Sequence, residues 1–177
     1  MIQSRVELDA FYSNSDPWNY ENNPEDLKRR EILISELPST EFRNVLDIGC
    51  GNGFVTRELP GLNITGIDIS AKAIDFANLK TSEKKIKYWE SDFFEFPKKY
   101  QGEPFDLIII TGLLYPQYIG NSLPLVYSII NDLLVDGGLL VSVHINDWSV
   151  SKFPFLLSDY FFYDYRNYIH RFEKYYK

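Results

Sequence analysis

Short continuous apolar runs alternate along the chain with segments whose apolar residues recur at helical spacing. "NVLDI" (44–48), "NITGIDI" (63–69), "KIKYWE" (85–90), "FDLIII" (105–110) and "LLVSVH" (139–144) read as strands. Helices are predicted between them and ahead of them, over 24–37, 53–59, 71–80 and 122–135. The first has Asn23 as N-cap, Pro24 at the first helical position, and Glu25 and Asp26 in the first turn. Leu27, Ile34 and Leu37 share a face of it, and Pro38 ends it. Pro60 stops the second. Ser70 caps the third, with Ile74 and Ala77 inward; Leu125, Ile129 and Leu133 line up along the fourth, which Gly137 and Gly138 close. Residues 1–22 read as a polar and aromatic loop, and the two prolines within 91–104 leave little room for a helix. A short helix around 150–158 and an aromatic strand from about 160 to 169 finish the chain.

Strands that alternate with helices, the middle ones apolar throughout, form a parallel sheet covered on both faces. The expected fold is a doubly wound, Rossmann-like α/β domain. Ligands of such sheets bind at the carboxyl ends of the strands, beside the first strand where the winding reverses. That place is occupied here by "VLDIGCGNGFVTREL" (45–59), with Gly49, Gly51 and Gly53 at alternate positions and Asp47 just ahead. Glycine at this density suits a tight turn and a ligand lying against bare backbone.

The spacing separates ligands. A pyrophosphate fold wants G-x-G-x-x-G, whereas here an acid precedes G-x-G-x-G. The Asp47 carboxylate would repel a pyrophosphate and suits a ligand with an ammonium group. Asp68 ends the second strand where a ribose diol is gripped, with Ile69 after it. Asp92 follows the third strand, placed to bond an exocyclic amine while Phe93 covers a purine. An amino group, a ribose and an adenine together describe S-adenosylmethionine.

On these residues the chain resembles class I S-adenosylmethionine-dependent methyltransferases: "VLDIGCGNG", "GIDIS", "SDFF" and "FDLIII" are similar to their motifs, across about residues 44–144. The resemblance implies that Gly49, Gly51 and Gly53 line the methionine portion, that Asp68 holds the ribose hydroxyls, and that Asp92 reads the adenine amine. "DPWNYENNPEDLKRREILISELP", "LLYPQ" and "VSVH" resemble a narrower group, bacterial enzymes related to the nodulation-factor N-methyltransferase, which act on sugars or other small metabolites. In that group the lead-in lies over the cofactor and a basic residue reaches the methionine carboxylate. Arg29 matches best, with Lys28 and Arg30 one residue off. Trp18 either covers the methionine end or plugs the sheet edge, and Thr111 is a further cofactor-lining candidate. One domain is expected, with a cofactor-covering lead-in (1–43), a cofactor-binding core (44–144) and a cap (145–177). The tail leaves little sequence for the family's last antiparallel strand, so its final hairpin is expected to be short or incomplete.

Catalysis at a sulfonium methyl needs positioning and at most one base. His144, ending the fifth strand, is the expected base, unless a carboxylate such as Asp147 merely satisfies it; Tyr115 is expected to orient the nucleophile or to pack at the rim. His170, in the aromatic tail, and Cys50, between the glycines, read as structural. No acidic ligands stand at the end of the fourth strand, so no metal is expected, and "TGLLYPQ" lacks the [DN]-P-P-[YFW] segment of nucleic-acid amino methylation. A net charge of −7 also argues against a broad nucleic-acid face. The N-terminus has no signal-peptide pattern and a single cysteine excludes an internal disulfide, so a cytoplasmic protein of unknown oligomeric state is expected. The aromatic content of 16% fills the core and floors a pocket. The leading reading is a methyltransferase for a sugar or amino-sugar amine or hydroxyl. The alternatives are a non-catalytic cofactor-binding subunit, or an RNA or protein methyltransferase that borrows a partner.

Overall fold

The computed structural model describes residues 3–149 and 152–177. In chain order the elements are α1 (Arg5–Phe11), α2 (Pro24–Ser35), β1 (Asn44–Ile48), a 3-10 turn (Thr56–Glu58), β2 (Asn63–Asp68), α3 (Ala71–Lys80) and β3 (Ile86–Glu90). Then come α4 (Phe96–Lys99), β4 (Phe105–Thr111), α5 (Pro116–Ile119), α6 (Leu123–Leu133), β5 (Leu134–Ile145), β6 (Leu156–Tyr165) and β7 (Tyr168–Tyr176). One seven-stranded sheet has the order β3-β2-β1-β4-β5-β7-β6. The first five strands are parallel, β7 adds antiparallel to β5, and β6 pairs antiparallel with β7 at the edge. The doubly wound fold is as the sequence predicts, and the winding reverses between β1 and β4.

Alternation along the central strands divides the core between two faces. Leu46, Ile48, Ile108, Ile110 and Leu140 face α6 through Val126 and Ile130. Val45, Leu107, Ile109, Val141 and Phe172 face Leu33 of α2 and Phe54. The α2 helix starts as its sequence dictates, with the Asn23 side chain accepting the Glu25 N–H at 2.9 Å. Its buried face, however, is Asp26, Arg29 and Leu33 rather than the stripe through Leu27 and Ile34, which are half-buried. The helix turns an ion pair, not its most apolar stripe, toward the interior. In α6, likewise, Leu125 is exposed and Val126 and Ile130 take the inner face.

Five local expectations change. The first 22 residues are not all loop: Ser4 and Glu7 form a reciprocal capping box that starts α1. The helix expected over 53–59 is only the 3-10 turn, because the glycine loop occupies its first residues. The α6 helix ends at Leu133, and the two glycines after it lie within β5, where the β4–β5 register shifts and Gly137 takes φ +77°. Of the helix expected around 150–158, residues 150–151 lie outside the described residues, and β6 has begun by Leu156. The final hairpin is complete rather than short. The aromatic run that reads as one strand is folded in two at Arg166–Asn167, pairing ten residues of β6 with nine of β7. Among the described residues no helix is long and apolar enough to cross a membrane.

Candidate active site

The strand ends near the reversal point carry most of the predicted site. After β1 the chain loops through Gly49, Gly51 and Gly53, all at positive φ. The Gly49 and Cys50 N–H groups donate to the Ile67 carbonyl at 2.8 and 2.9 Å, pinning the loop to β2. Asp68 holds it from the other side: one carboxylate oxygen accepts the Gly51 N–H and the other the Ser70 N–H, each at 2.9 Å. Burial pushes the Asp68 carboxyl above its ordinary range against these bonds. A side chain at Gly51 would be strained at φ +54° and would meet the Tyr12 hydroxyl at 2.8 Å. Gly49 and Gly51 line a cavity of about 450 Å³, but Gly53 does not. Gly53 makes the turn, donating its N–H to Cys50 O at 3.0 Å, and leaves room for the Tyr88 hydroxyl.

Asp47 reaches the cavity from beneath the loop, 1% exposed, and accepts the Thr56 hydroxyl at 2.6 Å. Burial pushes its pKa up to about 6, with Asp68 adding to the rise. Ile69, Phe93 and Thr111 line the same cavity, as does Asp92, one of whose oxygens accepts the Phe94 N–H at 2.7 Å. Trp18 lines it from the lead-in, stacked on Tyr20 with ring centroids 5.7 Å apart. Tyr12, Tyr20 and Tyr118, none of them singled out in the sequence, complete much of the aromatic wall.

Of the three consecutive basic residues, Arg29 alone lines the cavity. Lys28 is exposed, and Arg30 lies over Phe54 with Glu58 3.7 Å away. The Arg29 guanidinium is held between the rings of Tyr20 and Tyr165, at 5.3 and 5.5 Å. Only 8% of the residue is exposed, and its Nε makes no hydrogen bond. The nearest acid, Asp26, stands 3.6 Å from that Nε. Asp26 is engaged elsewhere: it accepts the Tyr165 hydroxyl at 2.6 Å and the Arg166 Nε and Nη2 at 3.1 and 2.5 Å. Two guanidiniums thus share one carboxylate. The surplus positive charge lies in the cavity wall, where an anionic group would be bound.

The two histidines stand on opposite faces of the sheet. Ile145 of β5 faces the cavity, so its neighbour His144 faces the other side of the sheet, with Ser142. His144 is 2% exposed, does not line the cavity, and its Nε2 is buried without a hydrogen bond. Burial drives its pKa down to about 3. Asp147, the suggested partner, is exposed and bonds Asn146 instead. His170 pairs across the ladder with Ile145 and therefore shares its face, lining the cavity. Tyr115 also lines it, with its hydroxyl accepting the Ile145 N–H at 2.9 Å.

A family model described as a methyltransferase domain matches residues 40–168. The chain belongs to that methyltransferase-domain family. The structure of the N-methyltransferase NodS from Bradyrhizobium japonicum WM9, solved with S-adenosyl-L-homocysteine, superposes with a TM-score of 0.85 over 98% of this chain and 97% of that one, at 22% identity. That likeness makes the fold the class I methyltransferase fold. The ubiquinone biosynthesis O-methyltransferase of Dechloromonas aromatica is 32% identical over 119 residues, 62% of this chain and 51% of that protein. Its counterpart in Aromatoleum aromaticum is 37% identical over 76 residues, 41% of this chain and 32% of that protein. The chain thus spans about a third to a half of the length of these two relatives. The family match runs through the glycine loop, Asp68, Asp92 and the end of β5, while Trp18 and Arg29 lie ahead of it.

The buried acid in this methyltransferase-domain cavity gives a pH-dependent expectation. Its folded pKa of about 6 is above the ordinary 3.8, so the folded state binds a proton more tightly than the unfolded state. Stability from this group is therefore complete below about pH 4 and is lost as pH rises through about 6. Asp47→Asn is expected to raise the unfolding midpoint at pH 8 by about 2–4 °C, the equivalent of about 1 kcal/mol in a chain of this size. The gain disappears by pH 4. Thermal melts of both proteins across that range check it, and a gain independent of pH would remove the buried charge as its cause.

Proposed function

We propose that this chain is an S-adenosylmethionine-dependent methyltransferase acting on a small polar acceptor that presents an amine or a hydroxyl, a sugar or amino sugar first. The observation that carries the reading is the Arg29 guanidinium, buried in the cavity wall with Nε unbonded while Arg166 takes the nearest acid. An amino-acid carboxylate is the ligand group this arrangement lacks. Arg29 would hold the methionine carboxylate and Asp47 would face its ammonium. Asp68 would take the ribose hydroxyls, and Asp92 the adenine amine, with Phe93 against the ring. The backbone at Gly49 and Gly51, with Ile69, Thr111 and Trp18, would wall the rest. The cofactor supplies an electrophilic methyl group on a sulfonium.

The acceptor reading rests on three supports. A cavity of about 450 Å³ is of the size that suits small ligands. Its aromatic walls also carry hydroxyls, from Tyr115 and Tyr118 among others, that can orient a polar acceptor, and a net charge of −7 disfavours an extended nucleic-acid track. Isothermal calorimetry with S-adenosylhomocysteine, and with NAD as control, tests the cofactor. Asp68→Ala is expected to weaken S-adenosylhomocysteine by about 1–3 kcal/mol through unpaired ribose hydroxyls. Equal affinity in wild type and variant would sink the ribose assignment, and binding of NAD alone would overturn the cofactor. Labelled methyl transfer to glucosamine, ethanolamine and catechol, set against RNA, tests the acceptor class. Labelling of RNA alone would replace it.

A further inference from the structure

We propose that His170, which lines the cavity and is held at Nδ1 by the Tyr163 hydroxyl, is the group that takes the proton of the methyl acceptor. The inference rests on the methyltransferase reading and goes beyond it. It starts from the β5–β7 register. His170 stands opposite Ile145, whose N–H fixes the Tyr115 hydroxyl, so the histidine and the tyrosine reach the cavity at the same end of the sheet. The Tyr163 hydroxyl lies 3.1 Å from His170 Nδ1, and the Tyr165 ring packs on the imidazole with centroids 4.0 Å apart. Both partners come from β6, so the ring is fixed in position and only its second nitrogen is left for a ligand. His170 is 5% exposed, and no partner for Nε2 stands among the described residues.

The chemistry needs one acceptor of protons. The lone pair of the acceptor's nitrogen or oxygen bonds the methyl carbon, the carbon–sulfur pair stays with sulfur, and the proton of the acceptor passes to His170 Nε2 and then to water. Total charge in the cavity is conserved, since a sulfonium is lost as an imidazolium forms. His170 is neutral at physiological pH: burial first, and then the nearby Arg29, bring its pKa down to about 3. The groups that bear on it are Arg29 from α2, Tyr163 and Tyr165 from β6, and His144 across the β5–β7 ladder. A carboxylate bound to Arg29 offsets the positive charge that disfavours the imidazolium, so the base would strengthen only when the cofactor is seated.

Two measurements test this, and the chain's having only two histidines makes both readable. Long-range proton–nitrogen spectra of the S-adenosylhomocysteine complex at pH 7 are expected to show His170 with its proton on Nδ1 and none on Nε2. S-Adenosylhomocysteine is expected to raise the His170 titration midpoint by about one unit or more. 5′-Methylthioadenosine, which has no carboxylate, leaves it unmoved. An Nε2–H tautomer, or equal shifts with both ligands, overturns the proposal. His170→Gln is expected to keep S-adenosylhomocysteine affinity within about twofold and to lose about 10²–10⁴-fold in methyl transfer to whichever of glucosamine, ethanolamine and catechol is methylated. Under the same conditions His144→Gln keeps its rate. Wild-type turnover in His170→Gln overturns the proposal. Failure of the wild type to bind S-adenosylhomocysteine strikes the cofactor reading instead, which separates the two.

Discussion

Asp26→Ala is expected to lower folding stability by about 3–5 kcal/mol, the cost of leaving buried charge without its counter-ion. Asp26 is fully buried and draws together two regions that are far apart in sequence. The α2 helix provides the acid, Tyr165 at the end of β6 donates a hydroxyl to it, and Arg166 in the hairpin turn donates two N–H groups. Arg166 also donates to the Trp18 carbonyl at 2.8 Å, so the same junction ties down the lead-in. Its backbone at φ +51° is a conformation that costs energy in a non-glycine residue, held by the two-residue turn and by these bonds together. With the carboxylate gone, Arg29 and Arg166 face each other across an apolar wall. A domain of this size has about 5–15 kcal/mol to lose, so the change removes a large share of it. Urea unfolding of Asp26→Ala and Asp26→Asn measures the effect. A loss below about 1 kcal/mol for the alanine variant would mean that water replaces the acid and that the junction does not hold the hairpin to α2.

This junction also marks where the sequence was readable and where it was not. The cofactor side was readable because its signals are local: Asp47, Gly49 and Gly51 sit within five residues, Asp68 ends the next strand, and Asp92 follows the one after. The parallel pairing of the first five strands followed from the same alternation. The acceptor side depends on pairing between distant strands. His144 faces away because alternation along β5 sends Ile145 to the cavity, whereas His170 reaches it through the antiparallel register that sets it opposite Ile145, and one residue of slip would turn it away. The hairpin was missed for a related reason. Its turn at Arg166–Asn167 has neither glycine nor proline, and the aromatic residues on both sides favour strand equally. The α1 helix, by contrast, has a legible start in Ser4 and Glu7, set within a polar stretch that reads as loop.

Arg29→Met is expected to weaken S-adenosylhomocysteine by about 100-fold while leaving the fold as stable as the wild type or more so. The two halves have separate causes. A guanidinium and a carboxylate form paired charge-assisted hydrogen bonds, each contributing about 1.5–3 kcal/mol, so losing the pair costs about 3 kcal/mol of affinity or more. That figure corresponds to about 100-fold in dissociation constant. In the free protein the same guanidinium is desolvated, and its nearest acid is committed to Arg166 and Tyr165. Methionine fills a similar volume between the Tyr20 and Tyr165 rings and has no charge to desolvate. Asp26 keeps its bonds from the Tyr165 hydroxyl and from Arg166 in this variant, so the junction survives. Calorimetry with S-adenosylhomocysteine and with 5′-methylthioadenosine, beside urea unfolding, reads both halves. The carboxylate-free ligand should bind both proteins within about twofold. An equal loss for the two ligands would make Arg29 a wall of the cavity rather than the partner of a carboxylate. A fall in stability would show that its stacking between the two tyrosines outweighs its desolvation.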